Sequence, residues 1–247
     1  MKITEKKAKS ILSKSQVYDY ALNPYVGCQH SCVYCYAKFI KRFTGHAERW
    51  GEFVDIKINA PELLAREVKR KKVGRVWISG VCDPYQPLEN RYMVTGRCLD
   101  ILVENGWPFT VQTKSALVLR DMEILRRAND SEVGFTITTA DEKIRGIFEP
   151  GAPPSRERIE ALAALHSKGI RTFAMVAPIL PGAEGLVSAL KGKVAYVILD
   201  RLNYHYADWA YKRHGLQWAG EDSFFSKKGR ELRAAFEKEG IPCQIVF

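Results

Sequence analysis

The sequence predicts an α/β protein built on parallel strands. Short apolar runs rich in Val, Ile, Phe, Tyr and Thr alternate with helical patterns about six times along the chain. Polar or unusual residues follow nearly every run: after the strands come CDPYQ, TKS, TADEK, PILPG and DRLNYH. In βα folds those C-terminal strand ends lie on one face, where sites form. Six units with right-handed crossovers suit either an incomplete (β/α)6 barrel or a doubly wound sheet; the clustered polar residues lean toward the barrel.

The first strand-like run is YALNPYVG, Tyr20–Gly27. Arg75–Gly80, Phe109–Thr113, Val133–Thr138, Arg171–Ala177 and Val194–Leu199 follow, and Cys243–Phe247 ends the chain. All are too short for buried helices. Asn59 and Glu62 resemble a capping box opening APELLAREVKRKK, although the strict motif takes Ser or Thr. Thr95 can cap GRCLDILVEN, which stops at Gly106. Ser155 can cap RERIEALAALHSK, where Ile159, Leu162, Ala163 and His166 share a face and Gly169 closes the helix.

A chain of 247 residues, 46% hydrophobic and 27% charged, suits one large domain. Residues 1–18 read as a loosely held basic arm and 19–247 as a single domain, with residues 203–247 closing the barrel. The polar N-terminus has no apolar h-region, and no run approaches the length of a membrane span. The expectation is a soluble, cytoplasmic protein without membrane contact, whose six cysteines are metal ligands, reactive thiols or core rather than disulfides. Thirty-eight Lys and Arg against 28 Asp and Glu give a formal charge of +10, which favours polyanions such as nucleic acid or simply keeps the protein in solution.

The stretch NPYVGCQHSCVYCYAKF crowds Cys28, Cys32 and Cys35 into eight positions and flanks the last with Tyr34 and Tyr36. A structural zinc site wants four ligands, usually in two separated pairs; there is no second pair, and His30 as a fourth ligand would leave little chain to fold around the ion. A redox pair needs two thiols and leaves Cys28 unexplained. Three thiolates suit an iron–sulfur cubane with one iron left open.

This spacing resembles the radical S-adenosylmethionine (radical SAM) superfamily. KINAPELLAREV, DPYQPLE, TKSALVLRDMEIL, FEPGAPPSRERIEAL and MVAPILPG are similar to the group that contains spore photoproduct lyase and its DNA repair photolyase-like relatives. The resemblance implies the incomplete (β/α)6 TIM-type barrel. It also implies a [4Fe–4S] cluster on Cys28, Cys32 and Cys35 and SAM on the open iron. Reductive cleavage of SAM then yields a 5′-deoxyadenosyl radical that takes hydrogen from a substrate. A lyase acting on a DNA lesion, served by a flavodoxin- or ferredoxin-type electron donor, is the activity it suggests.

Residue by residue, the resemblance puts Tyr34, Tyr36, Gly80, Asp83, Lys114, Ser115 and Thr138 around SAM. Lys114 would neutralise the carboxylate and Thr138 would meet the ribose. Tyr36 and Cys82 are the catalytic candidates. Aligned on Asp83, the hydrogen-donating cysteine of the lyase falls at Gly80, so Cys82 keeps its face only if the chain stays extended. Ser115 equally suits a helix cap and Thr138 simple strand packing. Glu149 and Arg158 are further candidates whose ordinary reading is a surface salt bridge. Cys98 and Cys243 read as core.

In HYADWAYKRHGLQW, His205–Trp218, aromatics interleaved with bases suit nucleobase stacking, or an amphipathic helix whose Trp209 and Tyr211 pack inward. Two readings compete with the DNA enzyme. One is the same chemistry on a small molecule, peptide or RNA base. The other is a non-catalytic iron–sulfur or zinc module that binds nucleic acid.

Overall fold

A computed structural model describes all residues, 1–247. The chain divides into two compact units, Met1–His30 with Ala37–Val133 and Ser31–Tyr36 with Gly134–Phe247.

In the first unit, β1 (Lys2–Lys6) runs parallel to β5 (Phe53–Lys57), which pairs antiparallel with β4 (Tyr25–Val26). A second set begins with β2 (Leu12–Lys14), antiparallel to β3 (Tyr20–Leu22). From β3 the order continues in parallel through β6 (Val76–Ile78) to β7 (Phe109–Thr113). The run expected as one strand, Tyr20–Gly27, is therefore two. Pro24 has no N–H to donate, so the ladder breaks at Asn23–Pro24 and the two halves join different sheets. The sequence reading missed β1, β2 and β5.

The N-terminal arm is not loosely held. Besides its two strands, the Glu67 carboxylate accepts the Ile11 and Leu12 amides at 2.8 and 3.0 Å. Asn59 accepts from the Ala8 amide at 2.8 Å and donates to its carbonyl at 3.0 Å. Asn59 thus clasps the arm and does not cap α1 (Ala60–Glu67).

The remaining helices of this unit are α2 (Glu89–Tyr92), α3 (Val94–Glu104) and α4 (Met122–Arg127). Thr95 lies inside the first turn of α3 rather than at its cap, and its hydroxyl donates to the Pro84 carbonyl at 2.7 Å.

The second unit orders its strands β8 (Glu132–Thr136, whose first two residues belong to the first unit), β9 (Arg171–Val176), β10 (Tyr196–Leu199) and β11 (Cys243–Ile245). The last three are parallel. Its helices are α5 (Glu142–Phe148), α6 (Ser155–Ser167), α7 (Gly185–Leu190), α8 (Asp208–Arg213) and α9 (Asp222–Lys238). Ser155 is the first residue of α6, and its hydroxyl reaches back to the Thr139 carbonyl at 2.8 Å instead of capping the helix.

Gly134 in β8 has a packing reason: a Cβ there would sit 2.0 Å from the Phe173 ring. The fold class is the mostly parallel α/β arrangement that the alternation predicted. No helix is long and apolar enough to cross a membrane.

Candidate active site

In the first unit, the chain entering the cysteine segment is fixed by the loop that follows β6. Gly27 has φ +89°, and a Cβ there would meet the Phe53 carbonyl oxygen at 2.3 Å, so only glycine fits. Cys28 comes next and is buried. Gln86, itself fully buried, donates to the Gly27 carbonyl at 3.3 Å and accepts the Gln29 amide at 3.0 Å. Gln29 in turn accepts the Leu88 amide at 2.7 Å. DPYQPLE is therefore a brace for the chain around Cys28.

Asp83 anchors that brace. One carboxylate oxygen accepts the Tyr85 amide at 2.9 Å and the Thr113 hydroxyl at 2.6 Å. The other accepts the Lys114 amide at 2.7 Å and faces His30 Nε2 at 3.2 Å. Burial alone would raise its pKa; the His30 ring and these donors outweigh it and hold the carboxyl down at about 2. Ser115, buried, donates its amide to the Thr113 hydroxyl and accepts from the Leu117 amide, so it caps the short helical turn Ala116–Asp121. Asp83, Lys114 and Ser115 are thus brought together, while the Lys114 side chain is half-exposed.

Behind them is a buried carboxylate that sequence reasoning did not single out. Glu89 accepts from the Tyr25 hydroxyl, from Arg120 Nη2 at 2.8 Å and from the Thr95 and Gly96 amides. Arg120 also pairs with Asp121 at 2.9 Å, and Asp121 accepts the Tyr85 hydroxyl at 2.9 Å. The signal was slight: Glu89 follows Pro87 and Leu88, and Arg120 and Asp121 follow the apolar run ALVL.

Cys82 is half-buried after the strand ends at Ile78, where the chain already bends. The extended geometry that would keep Cys82 on the Gly80 face is absent. A Cβ at Gly80 would press on the Trp77 ring at 3.3 Å. Ser79 donates to Asn23 at 2.8 Å, which leaves its oxygen to accept the Cys82 thiol at 2.9 Å. Burial pushes the Cys82 pKa up to about 12, so the thiol keeps its proton near neutrality. Lys57, at the end of β5, is held below the usual lysine range by burial, and its charge acts on Cys82. Cys98 is fully buried in α3 as expected, and Cys243 is half-buried on β11.

The second unit holds Cys32 (buried) and Cys35 (half-buried). The Val33 amide donates to the Phe148 carbonyl at 2.9 Å, and Val33 packs with Phe148, Leu180 and Tyr211. The Tyr34 hydroxyl donates to Glu149, whose other oxygen meets Arg158 at 2.6 Å. Neither charged side chain has any exposure, so this is a buried pair and not the surface salt bridge expected from sequence. Arg158 is further satisfied by the Thr136 and Pro153 carbonyls. Burial, then the Glu149 carboxylate, push the Tyr34 hydroxyl well above the usual tyrosine range.

Thr138 is fully buried, and its hydroxyl has no partner within the chain, a cost that a bound hydroxyl or water would relieve. Tyr36 is 37% exposed and stacks on Tyr204. Of the two inward candidates on α8, Tyr211 is buried on Phe148 at 4.7 Å, while Trp209 is 54% exposed.

Three thiols within eight residues, two of them buried, are the soft ligand type that an iron–sulfur cluster takes. The radical SAM family model matches residues 22–184, which take in all three thiols, the brace and the buried pair. The chain belongs to the radical SAM superfamily.

Radical SAM enzymes use a [4Fe–4S] cluster and SAM, and these are the cofactors of this one. An uncharacterized protein of Methanocaldococcus jannaschii is 34% identical over 73% of this chain and 69% of its own length. The radical SAM Nalpha-GlyT isomerase of Pseudomonas phage M6 is 25% identical over 64% of this chain and 33% of its own length. Among solved structures, a spore photoproduct lyase variant with bound AdoMet and dinucleoside spore photoproduct superposes with a TM-score of 0.71 at 13% identity, covering 98% of this chain and 81% of that one. The likeness is one of fold, and it settles the architecture as the incomplete (β/α)6 barrel rather than a doubly wound sheet.

Proposed function

We propose that this radical SAM enzyme acts on a nucleic-acid substrate, a lesion-bearing DNA base in the first instance, with Cys28, Cys32 and Cys35 holding the cluster. The observation that supports the reading is the backing given to each part of the cysteine segment by its own unit: Gln86 and Asp83 brace the chain from Gly27 to His30 in the first, and the Tyr34–Glu149–Arg158 set holds the chain between Cys32 and Cys35 in the second. Rigid backing is what a reactive centre requires if the radical is to meet one C–H and no other. When bound, the cluster and SAM supply one-electron cleavage of the sulfonium to a 5′-deoxyadenosyl radical.

The chain's own residues do the rest. Lys114 balances the SAM carboxylate from the end of β7, and the Thr138 hydroxyl meets the ribose. Tyr34 packs beside the cofactor with its hydroxyl tied to Glu149. Cys82, a neutral thiol on the bend after β6 rather than on the Gly80 face, would give one hydrogen atom to the substrate radical, and the thiyl left behind would return to the thiol by taking one electron from the donor protein and one proton from solvent. Gly80 keeps space open beside Trp77. The basic surface and the fold shared with spore photoproduct lyase support a DNA substrate and the lyase class. A flavodoxin- or ferredoxin-type protein supplies the electron.

The test is anaerobic turnover with ultraviolet-irradiated oligonucleotide, SAM and dithionite. Restored thymine supports the reading. Formation of 5′-deoxyadenosine with no change in the oligonucleotide contradicts a DNA-lesion substrate.

A further inference from the structure

Immediately after Cys35, the Tyr36 ring begins a column of exposed aromatics. Tyr36 stacks on Tyr204 with centroids 6.2 Å apart and planes at 19°, and Tyr204 stacks on Tyr206 at 5.8 Å and 13°. The three rings are 37, 50 and 37% exposed. Large apolar rings at a surface favour contact with something that removes them from water, and near-parallel planes favour a flat partner.

The loop that presents the rings is ordered from below. The Asp200 carboxylate accepts the Arg201 amide at 2.7 Å and the Asn203 side-chain amide at 3.0 Å. The chain then turns inward at Ala207, and α8 buries Ala210 and Tyr211 while exposing Trp209, Lys212 and Arg213. Lys212 and Arg213 engage no acidic side chain, on a protein of formal charge +10. Stacked aromatic faces with uncompensated cations on the next helix suit bases and phosphates together. An acidic polypeptide would answer the charge but offers no regular succession of flat rings.

We propose that Tyr36, Tyr204 and Tyr206 form a stacking platform for unpaired nucleobases of a nucleic-acid strand, with Lys212 and Arg213 meeting its phosphates. The inference deepens the nucleic-acid reading above and rests on it. It names the substrate form as an unstacked, single-stranded or flipped-out base.

The experiment is fluorescence anisotropy with the cluster-loaded enzyme and labelled oligothymidylate, against an abasic strand of equal length and charge. Wild type should prefer the base-bearing strand. Tyr204→Ala and Tyr206→Ala should weaken that binding about tenfold and lose the preference, whereas Tyr204→Phe should keep both. Trp218→Ala, on an exposed ring that packs on Phe224, should bind as wild type. Equal binding of the abasic strand, an unaffected Tyr204→Ala, an equal loss in Trp218→Ala, or tighter binding of a glutamate–tyrosine copolymer would each overturn the platform. Repair of irradiated DNA by Tyr204→Ala at the wild-type rate would sink the platform and leave the proposed reaction standing. Base-dependent binding without any reaction would do the reverse.

Discussion

Glu149 and Arg158 meet at 2.6 Å with no exposure to solvent, and the Tyr34 hydroxyl closes on the same carboxylate. Two opposite charges removed from water hold the segment between Cys32 and Cys35 against α6. Such a pair resists losing one partner far more than losing both. Arg158→Met should destabilise the protein by about 3–5 kcal/mol, and Glu149→Gln/Arg158→Met should recover much of that loss. Urea unfolding of the single and double variants measures the difference; equal losses would mean that the charges do not act as a unit.

Asp83 gives a stability signature in acid. Its carboxyl titrates at about 2 when folded, below the ordinary aspartate value near 3.8. A depressed carboxyl stabilises the fold above the unfolded pKa and loses that contribution as pH falls through the folded one. The protein should therefore lose about 2 kcal/mol between roughly pH 4 and pH 2, and Asp83→Asn, already without that contribution, should lose less over the same range. Urea unfolding of the metal-free chain across that window checks both.

Gln86 is the buried clamp on the chain around Cys28. Gln86→Leu keeps the bulk but strands the Gly27 carbonyl and the Gln29 amide, each formerly bonded. The expected cost is about 1–3 kcal/mol, with faster loss of iron from the reconstituted protein. Chelator-driven decay of the cluster absorption, followed in time, reads the second effect; a decay equal to wild type would dissociate Gln86 from the cysteine segment.

Cys82→Ala should still cleave SAM, because the role proposed for the thiol is on the substrate radical and not on the cofactor. Its product should be diverted, and Cys82→Ser should not rescue it, since an alcohol O–H is far stronger than a thiol S–H. Product analysis by mass spectrometry decides: an unchanged product distribution would remove Cys82 from the reaction.

The parallel α/β class was legible because periodicity and strand-end polarity depend on local chemistry. Phe109–Thr113 stands as read, since nothing interrupts its ladder. The division of Tyr20–Gly27 was written in Pro24, a residue whose missing donor matters most where two sheets compete for the chain. Asn59 looked like a cap because capping and clasping use the same side-chain oxygen; which N–H it meets is a tertiary fact. Likewise Glu149 and Arg158 read as surface charges because sequence shows charge and not burial. The three cysteines stood out in the sequence, since thiols at such spacing have few uses, and their role as cluster ligands is a proposal. The brace around them did not stand out, because Gln86 and Glu89 act through bonds to residues far along the chain: Gln86 to Gln29 and Gly27, 57 and 59 positions away, and Glu89 to Tyr25 and Arg120, 64 and 31 positions away.

Anaerobic reconstitution followed by reduction with SAM present reads the cluster and its open position together. Four iron atoms per chain are expected, in a cluster whose electron paramagnetic resonance signal shifts when SAM is added, with methionine and 5′-deoxyadenosine formed on reduction. A tetrahedral zinc on these thiols, or a cluster whose signal ignores SAM, would contradict that expectation.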